Sequence, residues 1–65
     1  MTKDERLERL RTRLANMERV VADLELGKRL HDERGVGDWE PEIDEALLAL
    51  ALRARAHLKK LVAAG

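Results

Sequence analysis

The chain has no cysteine, no serine, no phenylalanine and no tyrosine, and only one tryptophan and one proline. Each absence removes a class of explanation. Without cysteine there are no disulfide staples and no thiolate metal sites, and the default compartment is the cytoplasm. Without serine there is no serine nucleophile, and no glycine-rich phosphate loop is present to cradle a nucleotide. The apolar run from Ala46 to Leu52 falls far short of the roughly 20 residues a membrane-spanning helix needs. The opening Met1-Thr2-Lys3-Asp4-Glu5 lacks the apolar core of a signal peptide. The expectation is a soluble cytoplasmic protein with no cofactor and no membrane partner.

Sixty-five residues make one small domain, too small to bury much surface alone. With staples and membrane excluded, oligomerisation is the remaining stabiliser. What is present in quantity is Leu, Ala, Glu, Arg and Lys, which is the composition of long helices.

From Leu7 the first helix repeats Leu10, Leu14, Met17, Val21 and Leu24 at alternating spacings of three and four, an a/d heptad seam. Thr2 or Asp4 caps its start. The charged residues between the seam positions form a solvated face. Continuing the heptad puts Lys28 and His31 in the seam, while Leu26 and Leu30 fall on roughly the opposite side. Gly27 lies between those two leucines. In a helix interior it costs about 1 kcal/mol relative to alanine, so it implies either close backbone approach, with Ala46 opposite, or a bend; close approach is the expectation.

Arg34-Gly35-Val36-Gly37-Asp38 supplies a left-handed cap, a turn glycine and an Asx residue. A connection this short makes the two helices antiparallel neighbours. Pro41 suits the first turn of the second helix, which Asp38 or Glu40 caps. The sequence thus predicts an all-α, single-domain chain, residues 1–65. It is an antiparallel helical hairpin with helices over about 3–34 and 40–63 and a glycine-containing loop over about 35–39. Dimerisation into a four-helix bundle completes the expected architecture.

The second helix carries more apolar surface than one partner helix covers. Ile43, Leu47, Leu50, Ala54, Leu58 and Leu61 form one stripe, expected to face the first helix. Leu48 and Leu52 form a second, with Ala51 and Val62 bridging towards it. Together with Leu26 and Leu30, this second set is the expected dimer or partner interface, since large contiguous apolar patches mark interaction sites. Trp39, the only aromatic residue, either plugs the loop end of the core one turn before Ile43 or serves as a binding hot spot.

Charge is balanced overall but sorted along the hairpin. Residues 1–19 with 46–65 carry ten basic and four acidic groups, whereas residues 20–45 carry three basic and nine acidic. Two hairpins are therefore expected to pair antiparallel, each acidic loop end beside a basic terminal end. His31 and His57 lie some 20 Å apart at 1.5 Å per residue, and neither belongs to a Glu-x-x-His pair, so no metal site and no catalytic set is expected.

The leading functional expectation is a non-enzymatic protein–protein interaction module: a small adaptor, regulator or assembly factor working as a homodimer. A second is a dimeric RNA- or DNA-binding regulator contacting phosphates through Arg6, Arg9, Arg13, Arg53 and Lys60. The neutral total charge and the lack of stacking aromatics weigh against it. A third is a subunit of a larger hetero-helical assembly.

Overall fold

The computed structural model describes residues 2–65. Among them two helices are formed, α1 over Lys3–Arg34 and α2 over Pro41–Ala64, and they pack as a hairpin. The result is a rod of 47 × 16 × 14 Å, close to the ~48 Å length of a 32-residue helix. Its radius of gyration is 14.6 Å, against about 11 Å for a globular domain of this length.

The helix ends follow from local chemistry. Thr2 occupies the N-cap of α1, its hydroxyl accepting from the Glu5 amide at 3.2 Å, so the cap falls to Thr2 and not Asp4. Gly35 ends α1 in the left-handed conformation, φ 64°, donating to the His31 carbonyl at 3.0 Å. Gly37 follows with φ 98°. Glu40 takes the N-cap position of α2 without a capping bond from its own side chain. Instead the Asp44 carboxylate reaches back to accept from the Glu40 amide at 2.7 Å, while the Glu40 carbonyl accepts from the Ile43 and Asp44 amides.

The leucine seam of α1 faces α2. Leu7, Leu10, Leu14, Met17 and Leu24 are half-buried, and Val21 is sealed at 1% exposure. The heptad runs on without interruption, because Lys28 and His31 are half-buried as well. Its last turns are thus polar, and Trp39, 7% exposed, supplies the apolar material at the loop end. The register sets Gly27 level with Ala46, but its close neighbour is the Trp39 ring. A Cβ on Gly27 would sit 3.6 Å from Trp39 Cε3, so the close approach is made by a side chain and α1 stays continuous.

The largest correction concerns α2. Asp44, Leu48, Ala51, Arg55, Leu58 and Val62, spaced four and three, are half-buried or buried, with Ala54 beside them, so Leu48, Ala51 and Val62 of the expected second set pack on α1 while Leu52 stays exposed. Of the expected core stripe, only Ala54 and Leu58 are sheltered; Ile43, Leu47, Leu50 and Leu61 are exposed. The rotation of α2 is set at both ends. Trp39, anchored over Gly27, fixes its start, and Lys28 Nζ bridges to Glu45 Oε1 at 3.6 Å. At the far end Gly65 lies against Leu7, where a Cβ would come within 3.0 Å of Leu7 Cδ1. Leu7 against Gly65 and Lys28 against Glu45 set the register, which brings Val21 level with Ala51, the small residue that admits it.

Candidate interaction surface

Helical geometry divides what is left exposed into two flanks. At 100° per residue, Ile43, Leu47, Leu50 and Leu61 lie about 40–100° to one side of Ala51, and Leu52 lies about 100° to the other. In an antiparallel pair, equal senses of rotation away from the seam lead to the same side of the hairpin. Val20 on α1, 45% exposed, therefore shares a face with the four-residue stripe. Leu26 shares a face with Leu52.

The Leu26 side is an open groove near the loop end, with Ala22, Leu26, Leu48 and Leu52 as its apolar floor and charged residues around it. This groove brings together three of the residues expected at a partner interface. The others lie elsewhere. Ala51, 7% exposed, is enclosed between the helices, and Val62 is half-buried in the same seam. Leu30 is half-buried near the end of α1, where its carbonyl accepts from the Val36 amide at 3.4 Å.

The opposite face is the more extensive. Ile43, Leu47, Leu50 and Leu61 run along most of α2, with Leu50 at 60% exposure. The sequence reading missed it because it assigned these residues to the core. Their own spacing holds the missed signal. Ile43, Leu47, Leu50, Ala54, His57 and Leu61 form a heptad seam offset by one residue from the one that packs on α1, and α2 cannot bury both against a single helix.

Comparison with protein-family models, with curated proteins and with solved structures returns no match.

Trp39 is enclosed in the hairpin, its remaining surface bordering a shallow hollow with Glu40, Pro41 and Glu42. The basic residues do not converge. Arg6, Arg9 and Arg13 occupy one flank of α1, while Arg53 and Lys60 point from the back of α2, all of them exposed. His31 Nδ1 lies 3.4 Å from Asp32 Oδ1, and His57 is exposed on α2. Among the described residues, no three metal-ligating side chains converge, and no helix is long and apolar enough to cross a membrane.

Proposed function

We propose that the chain is a non-enzymatic protein–protein interaction module, a small adaptor, regulator or assembly factor that works as a helical-bundle homodimer. The observation that carries this reading is the uncovered stripe Ile43, Leu47, Leu50 and Leu61 along a hairpin whose accessible surface is 5280 Å². A compact protein of 7.4 kDa exposes about 4,200 Å². Part of the surplus belongs to the rod shape, and the stripe leaves four large apolar side chains in water along one helix face; grouped exposed apolar side chains mark association sites.

The interface expected from the sequence at Leu26, Leu30, Leu48, Ala51, Leu52 and Val62 is replaced in this reading by the other flank of α2. Sedimentation equilibrium of the purified chain tests it. A dimer in the micromolar range that Leu50→Glu dissociates and Leu26→Glu leaves intact is the expected outcome. A wild-type chain that stays monomeric at about 100 μM, an affinity below even weak specific association, overturns it.

A further inference from the structure

Resting on the reading that the chain self-associates, we infer that the stripe on α2 is covered by the α2 of a second copy running antiparallel, with the two-fold axis passing at Ala54. Three observations converge on this arrangement: area, symmetry and charge.

Two separate hairpins expose twice 5280 Å², whereas a compact protein of twice the mass exposes about 7,000 Å². Pairing that reached ordinary compactness would bury on the order of 3,500 Å² in total, within the range of obligate homodimers. The exposed stripe of one α2 offers Ile43, Leu47, Leu50 and Leu61 to such a contact, with His57 among them and with Val20, Arg9 and Arg13 of α1 on the same side. The smaller groove floored by Leu26 and Leu52 lies on the far side of the hairpin and stays open.

The stripe is self-complementary. Leu47 and Leu61 stand seven residues before and after Ala54, so antiparallel packing sets each Leu47 against the partner copy's position 61 and meets Ala54 with itself. Alanine at the centre allows the two helices to approach closely. The register of the hairpin places Ala54 level with the midpoint of α1, so the same axis bisects the rod and brings the two Val20 side chains towards each other. An axis at the middle of the rod is what full overlap of two rods requires.

The charges decide the sense. The terminal half of each hairpin carries a net charge of plus six and the loop half minus six. Antiparallel pairing sets unlike halves side by side, and parallel pairing sets like halves side by side. Raising salt therefore weakens the antiparallel dimer and strengthens a parallel one.

The absence of cysteine makes disulfide trapping clean. Ala54→Cys is expected to form a disulfide dimer on mild oxidation. Leu47→Cys and Leu61→Cys are each expected to stay uncrosslinked alone and to crosslink when mixed, because self-pairs would be about 21 Å apart at 1.5 Å per residue. Helicity of each variant is followed to establish that it folds. Independently of any variant, wild-type dissociation is measured at about 50 mM and about 1 M sodium chloride, where the screening length falls to about 3 Å. A several-fold weakening at high salt is expected.

Self-pairing of Leu47→Cys, or tighter association at high salt, overturns the antiparallel sense. A dimer that crosslinks at none of these positions uses another face, which overturns the inference while self-association stands. A wild-type monomer overturns the reading on which both rest.

Discussion

The indole of Trp39 lies over the backbone of α1 at Gly27, with Cε3 3.6 Å from where a Cβ would stand. That distance is ordinary van der Waals contact, so alanine fits at Gly27 without moving the ring. The helix gains the propensity that glycine forgoes, about 1 kcal/mol. Gly27→Ala is expected to raise stability by up to that amount in urea denaturation. Gly27→Leu, whose branches must enter the indole's place, is expected to lower it.

Trp39 itself is the largest side chain enclosed by the hairpin, at 7% exposure. Truncating a buried tryptophan costs about 3–5 kcal/mol, comparable to everything a core of this size supplies. Trp39→Ala is expected to lose most of its helical circular dichroism at concentrations where the wild type is folded. Because it is the only aromatic residue, its fluorescence in the wild type should shift to the red in the same transition that removes helicity.

Gly35 gives the opposite sign from Gly27 for the same substitution. Its φ of 64° places any Cβ against the following carbonyl, a cost of roughly 1–2 kcal/mol. Nothing lies within 4 Å of a Cβ there, so packing offers no compensation. Gly35→Ala should lower the urea midpoint, and Gly35→Asn should lower it less, since asparagine tolerates this conformation.

The Lys28–Glu45 bridge links the helices, yet both side chains remain about half exposed. Exposed pairs of this kind contribute roughly 0–1 kcal/mol and are screened by salt. Glu45→Gln is expected to shift stability by under about 0.5 kcal/mol, with the difference vanishing in high salt. A larger loss would mean that the bridge outweighs Trp39 in setting the rotation of α2.

The hairpin and the α1 seam were legible in the sequence because each rests on a local signal: a heptad, a glycine cap, a proline at a helix start. Which face of α2 meets α1 was not. Two seams offset by one residue satisfy the periodicity equally well. The choice between them depends on Trp39 meeting Gly27, on Lys28 meeting Glu45 and on Leu7 meeting Gly65, contacts between residues 12 to 58 positions apart. The basic flanks illustrate the same limit from the other side. Sequence position groups Arg6, Arg9, Arg13, Arg53 and Lys60 at one pole, but helix rotation spreads them around it.

The burial of Val21 and Ala51, level with each other near the middle of the rod, also determines how the molecule opens. Of the three described side chains that are buried, these two sit mid-rod and Trp39 guards the loop, whereas no described residue at the terminal end is fully enclosed. Amide protons around Val21 and Ala51 should therefore exchange with solvent most slowly, and those of the first and last helical turns most quickly. The hairpin would open from its free ends inwards, as a fork and not as a single block.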